Sequence, residues 1–264
     1  GERARQAAAS LDFERSCGDW RELVSDPQID VVDICTPNHL HAEMALAALA
    51  AGKHVYCEKP LALDLKESIA VAEAARRAGV VNAIGFNYIC NPMVQAARDL
   101  IQAGELGEIT GFSGNYVEDY MCDPHAPFTW RCERRLAGSG ARADLGSHLI
   151  NMAHLLLGPI ARTTGVIRTV HKQRTETATG KLRNVENEDV AHALFEFVSG
   201  VPGTMDISRV ATGYKCGLKV QVLGTRGSIV FDQERMNELR LYRVDDPAGR
   251  RGFRTILAGP EHPD

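Results

Sequence analysis

Three short apolar runs, each spaced by helix-length stretches and each followed at once by a polar segment, limit what the first third of this chain can be. The runs are residues 30–35 (D-V-V-D-I-C), 54–57 (H-V-Y-C) and 80–86 (V-V-N-A-I-G-F). Their β-branched, turn-bounded character predicts buried strands. Between them, residues 42–51 carry Leu46 and Leu49 and close at Gly52, while Asp64 and Glu67 have capping spacing for a helix ending at Gly79. Strands alternating with helices of 10–15 residues predict βαβ units and a parallel sheet. Ligands of such sheets sit beyond the carboxyl ends of the strands. That rule directs attention to Thr36-Pro37-Asn38-His39, Glu58-Lys59-Pro60 and Asn87-Tyr88, all polar and all directly after a strand.

Upstream, residues 3–9 predict a helix, and Asp19 with Glu22 opens a short one that Asp26-Pro27 ends. A helix follows Asn91-Pro92 to about Ala103, then the pattern changes. Residues 109–118 alternate like a strand, a loop rich in glycine and arginine leads to a helix over 145–157, and strand-like runs recur at 160–170, 190–198, 203–210, 217–223, 228–232 and 238–244. Successive strands without helices predict a mostly antiparallel open sheet. The fold class is therefore α/β: an incomplete Rossmann-type parallel sheet domain over 1–90, then an α+β domain over 91–264.

Composition excludes several functions. A formal net charge of −4, from 30 basic and 34 acidic residues, leaves no footprint for nucleic acid. The arginine groups at 131–135 and 250–254 are local, suiting solvated or substrate-facing loops. Seven cysteines without a C-x-x-C pair predict free thiols and a reducing, cytoplasmic setting. No apolar run reaches the ~18 residues of a membrane span. His39 and His41 near Cys35 lack zinc-site spacing, so no metal is expected. Cys57, at the end of a strand, suits inert core. The chain opens at Gly1 and stops at Pro263-Asp264 in a turn-like segment, which reads as a fragment with the first strand, the glycine-rich loop and the carboxyl-terminal end absent.

Two constellations carry chemistry. Lys59, between a glutamate and a proline at the ligand edge of the sheet, can be partly desolvated and serve as proton donor or alkoxide stabiliser. The plain alternative is a surface lysine paired with Glu58. In Asp144-Leu-Gly-Ser-His148-Leu-Ile-Asn151 the spacings of four and three put Asp144, His148 and Asn151 on one helical face, with the carboxylate able to orient the ring. Its alternative is a helix capped by Asp144 with a satisfied core histidine.

T-P-N-H-L-H at 36–41, A-G-K-H-V-Y-C-E-K-P at 51–60, G-F-N-Y at 85–88 and G-S-G-A-R-A-D-L-G-S-H at 138–148 together resemble the Gfo/Idh/MocA oxidoreductases. The resemblance implies a Rossmann domain for NAD or NADP, NAD favoured, and a second domain holding a polyol or sugar. It implies that Lys59 and His148 work on a substrate hydroxyl and that Asp144 helps hold the substrate. Thr36, Pro37, Asn38, His41, Glu58 and Lys59 are expected along the cofactor. Asn87 is expected near nicotinamide and substrate, with Arg131 and Asn151 among the substrate contacts. A cis Lys59-Pro60 peptide is common in such proteins. The stretch at 231–242 with 250–260 looks like a branch acting on inositols, sugars and anhydrosugars. Two departures stand out: this chain lacks G-x-G-x-x-G, which predicts weak cofactor binding by the fragment, and Asn151 replaces the family's usual aspartate. The implied function is hydride transfer between nicotinamide and a secondary hydroxyl. An NAD-dependent glycosidase of this fold, or a non-catalytic sugar- or cofactor-binding relative, are the alternatives. Homodimers or homotetramers through the second sheet are expected.

Overall fold

Residues 1–262 are described by the computed structural model, whose contacts divide the chain between Gly85 and Phe86, where the sequence suggested 90/91. In the first unit, strands Val31–Ile34 (β1), His54–Cys57 (β2) and Asn82–Ile84 (β3) pair in parallel in that order. Two helices precede them, Glu2–Leu11 (α1) and Trp20–Ser25 (α2). Asp19 caps α2 by accepting the Arg21 N–H at 3.0 Å, one residue earlier than the spacing suggested. Helix His41–Ala50 (α3) links β1 to β2, and Leu65–Ala78 (α4) links β2 to β3. Parallel neighbours need such crossovers. Asp64 caps α4 through the Glu67 N–H at 2.9 Å, and Gly79 ends it with φ 64°. Small side chains on α3 (Ala45 and Ala48, both 0% exposed) pack with Leu49, Ile34, Val55 and Cys57. Only three residues of the predicted third strand are extended in the ladder; Gly85 leaves it beside Glu58.

The second unit is one eight-stranded sheet with helices on a face. Its strands are Ile109–Val117 (β4), Ile160–Arg168 (β5), Val190–Phe197 (β8), Pro202–Ser208 (β9), Gly217–Gly224 (β10), Gly227–Asp232 (β11), Glu238–Arg243 (β12) and Arg254–Leu257 (β13), in the order β13-β12-β11-β10-β4-β9-β8-β5. Among the described residues only β4 and β9 pair in parallel within it. A separate ribbon pairs Gln173–Thr175 (β6) with Leu182–Asn184 (β7). Alternation drives the packing. Phe112 and Tyr116 of β4, Leu218, Val220 and Val222 of β10, and Leu239 and Leu241 of β12 turn inward. They meet Met93, Val94 and Ala97 of helix Pro92–Gln102 (α5), with Leu149, Met152 and Leu156 of helix Ser147–Leu157 (α7). A one-turn helix, Arg134–Ala137 (α6), lies between them in sequence.

Strands β6, β7 and β13 fall outside the strand-like runs of the sequence. The last sits in an arginine-rich run at the edge of the sheet, where charge obscures alternation. The start of α7 is also corrected: Asp144 is not a helix cap. Residues Arg142–Gly146 form a π-helical turn that runs directly into α7.

Candidate active site

In the first unit the carboxyl edge of the parallel sheet gathers the residues expected along a cofactor. The Lys59 N–H donates to Glu58 Oε2 at 3.2 Å, and the Lys59-Pro60 peptide is cis. Glu58 lies against Gly85, where an added Cβ would come 2.9 Å from its Oε1. Thr36, Pro37, Asn38 and Lys59 are half-buried. His41 has a different place from the one expected. It is 1% exposed, and its Nδ1 and Nε2 lie 2.8 and 2.7 Å from the carbonyl oxygens of Pro60 and Thr36. A ring closed on both sides by main chain ties the two edge segments together and presents no free nitrogen to a cofactor. Its neighbour His39 keeps a buried Nδ1 with no hydrogen-bond partner among the described residues. This polar edge, with an unused ring nitrogen in the T-P-N-H segment, fits one side of a dinucleotide. Burial pushes the Cys57 thiol up to about 12 and the Cys35 thiol to about 11, which removes both as nucleophiles at neutral pH.

In the second unit the π-turn and α7 carry Asp144, His148 and Asn151. The His148 ring is 6% exposed and sits among Tyr88 (centroids 4.7 Å apart), Phe86 (5.6 Å) and Tyr116 (6.0 Å). The Tyr88 and Tyr116 hydroxyls are 2.9 Å apart, and Cys216 Sγ lies 3.5 Å from Tyr88. Burial pushes Tyr88 up to about 12 and Tyr116 further, so both stay protonated. Asp144 accepts from the Tyr120 hydroxyl at 2.6 Å, with Arg131 Nε 3.7 Å from the same oxygen. Loss of solvent, then the Asp144 charge, raises the Tyr120 pKa and keeps its proton available to that carboxylate. Asn151 Oδ1 is buried without a hydrogen-bond partner among the described residues. Asn87, itself exposed, opens the turn Asn87–Cys90 at the start of this unit.

So Asp144, His148 and Asn151 do lie together on one run of helix, and Arg131 joins Asp144. Tyr88, Tyr116 and Tyr120 were not foreseen as part of this group. Inward alternation along 109–118 could have marked Tyr116, but nothing in the sequence announces Tyr120. Among the described residues no group of three or more His, Cys, Asp or Glu is gathered as metal ligands.

A parallel sheet whose carboxyl edge carries E-K-P, and a second unit whose sheet is backed by a D-x-G-x-H helix, match two family descriptions in chain order. Residues 1–86 match the oxidoreductase family NAD-binding Rossmann fold and residues 94–230 the GFO/IDH/MocA C-terminal domain, and the chain belongs to the Gfo/Idh/MocA oxidoreductases. Within that family it is similar to levoglucosan dehydrogenase of Pseudarthrobacter phenanthrenivorans, at 40% identity over 99% of this chain and 70% of that protein. A solved structure of levoglucosan dehydrogenase in complex with NADH and L-sorbose superposes with a TM-score of 0.96, at 41% identity over 100% of this chain and 70% of that one. A scyllo-inositol 2-dehydrogenase (NAD(+)) of Bacillus subtilis is 32% identical over 86% of this chain, which spans 62% of that relative.

Proposed function

We propose that this chain carries the working groups of an NAD-dependent dehydrogenase that oxidises a secondary hydroxyl on a sugar, inositol or anhydrosugar ring. The observation that carries the reading is the helical run that bears Asp144, His148 and Asn151. That run carries an aromatic-walled histidine, a carboxylate held by Tyr120 and Arg131, and a buried amide oxygen with no hydrogen-bond partner among the described residues. A polyhydroxylated ring suits these groups: its hydroxyls can donate to the Asn151 amide oxygen and the Asp144 carboxylate, and one of them can give up its proton to an imidazole. Relatives named for levoglucosan and inositol support the same substrate class.

His148 acts as general base on the reacting hydroxyl, and the rings of Phe86, Tyr88 and Tyr116 keep bulk water from its edge. Lys59 stabilises the developing alkoxide. Thr36, Pro37, Asn38 and Glu58 line the cofactor, with His41 holding their loops in place. A nicotinamide held there would supply the hydride acceptor. Asn87 and Arg131 complete the substrate contacts. NAD is favoured over NADP because NADH occurs in the named relative structures. The reading also includes a cytoplasmic setting and assembly as a homodimer or homotetramer through the second-unit sheet. Among the described residues no helix is long and apolar enough to cross a membrane.

NAD⁺ reduction across a panel of inositols, aldoses and anhydrosugars tests the activity. Lys59→Ala and His148→Ala should each lower turnover about 10²–10⁴-fold, the usual contribution of a positioned proton-transfer group. Unchanged turnover in both would sink the assignment. Glycoside cleavage without net NADH would favour a glycosidase instead, and ligand-induced stabilisation without turnover a binding protein.

A further inference from the structure

The π-turn poses a structural problem that its own residues do not solve. Its hydrogen bonds span one residue more than those of an α-helix, an arrangement that is rare and concentrates at functional sites. Residues on either side of it are rotated relative to a regular helix, so the extra residue governs how Asp144, inside the turn, is set against His148, one residue into α7. No side chain within the turn caps its start. The opening amides are satisfied from elsewhere in the chain.

Glu188, at the entry to β8, supplies all three. Its Oε1 accepts the N–H of Gly140 and the N–H of Arg142, each at 3.0 Å, and its own carbonyl accepts the N–H of Ala141 at 3.0 Å. The same Oε1 takes Ser139 Oγ and Arg142 Nε, both at 3.1 Å. Glu188 is 3% exposed, and the approach is so close that a Cβ on Gly140 would fall 1.9 Å from the Glu188 carbonyl oxygen. Burial works against its charge, but the Arg142 side chain and N–H hold the carboxyl below the usual glutamate value. At the other end, a Cβ on Gly146 would meet Ile207 Cδ1 at 2.7 Å, and the Ser147 hydroxyl donates to Ala143 O at 2.7 Å. The turn is thus fastened before and behind.

We propose that Glu188 is a positioning residue: by capping three successive amides of residues 140–142 it fixes the π-turn, and through it the placement of Asp144 against His148. This rests on the reading of Asp144 and His148 given above. A conventional helix start at this point would need neither a buried glutamate nor a glycine at 140.

Two substitutions test it. Glu188→Asp keeps the charge but withdraws the carboxylate by one methylene, and Glu188→Gln keeps the reach and the accepting oxygen but loses the charge. The readouts are the ring resonance of His148 in protein with ¹³C-labelled histidine, identified by its disappearance in His148→Gln, with kcat and the KM for NAD⁺. Expected are a displaced His148 resonance in Glu188→Asp, a smaller displacement in Glu188→Gln, and a kcat lowered about 10- to 100-fold in the former at unchanged KM for NAD⁺. A displacement of about 1 Å in a reacting group has that size of effect. Should Glu188→Asp not fold, the His148 resonance of Glu188→Gln decides. A resonance and kcat that stay at wild-type values while thermal stability falls would make Glu188 a structural residue only and overturn the proposal. Wild-type turnover in His148→Gln would instead remove the catalytic reading, leaving the resonance displacement to decide the positioning claim by itself.

Discussion

Single residues in this protein are set by what lies against them more than by their own preferences. Gly85 and Gly140 show the contrast. Both would bring a Cβ into close contact, Gly85 with the Glu58 side chain at 2.9 Å and Gly140 with the Glu188 main chain at 1.9 Å. A carboxylate at the end of a flexible side chain can move aside; a carbonyl built into the turn cannot. Gly140→Ala should therefore cost about 3 kcal/mol or more in urea unfolding, and Gly85→Ala under about 1 kcal/mol. Equal costs would mean that the Glu188 contact is not rigid. Neither glycine has a positive φ, so the difference lies in packing. The placement of Lys59 after a strand end, and of Asp144 and His148 on one helical run, was legible at this scale because strand ends and helical runs have simple sequence signatures. His41 was not. Its motif position suggested a cofactor contact, whereas burial between two carbonyl oxygens makes it a tie between loops.

Among the elements, those with strong period and caps were legible, including α4 with Asp64 and Gly79, and the alternating strands β4, β8 and β10. The π-turn was hidden because nothing local distinguishes A-R-A-D-L-G from an α-helical start; its determinant, Glu188, is 46 residues from Arg142 in sequence. The next residue, Asp189, shows the same long-range logic. Its carboxylate accepts from Arg209 Nε at 2.9 Å and from the N–H groups of Val170 and His171, with both charged side chains 1% exposed. Burial opposes the Arg209 charge, but Asp189 holds its pKa above the ordinary arginine value. Arg209 and Asn187 in turn reach the Arg131 carbonyl, fastening the loop that brings Arg131 to Asp144. Asp189→Ala, which strands a buried guanidinium, should cost about 3–5 kcal/mol, and pairing it with Arg209→Met should recover most of that loss. A single variant within about 0.5 kcal/mol of wild type, the range of ordinary surface changes, would show the pair to be solvated.

Taken as a molecule, the chain has an α/β order that its sequence displays, a parallel three-stranded unit and then a broad sheet, because strand and helix periods differ and rarely mix. Exposed apolar side chains on that sheet were less legible, since alternation marks one face as buried without saying what covers the other. Val166 is 68% exposed and Leu194 61%, on one face of the sheet through the pairs Val166–His192 and Thr164–Leu194. The self-association proposed above would cover them. Val166→Glu with Leu194→Lys should shift sedimentation toward the monomer, and a wild-type protein that sediments as a monomer would contradict the interface. The activity itself is tested most directly by isotope transfer. With an inositol or anhydrosugar deuterated at the reacting carbon, deuterium should accumulate at nicotinamide C4 together with keto product and be largely lost in His148→Ala. Product formation without deuterated NADH, or equal transfer in His148→Ala, would contradict it.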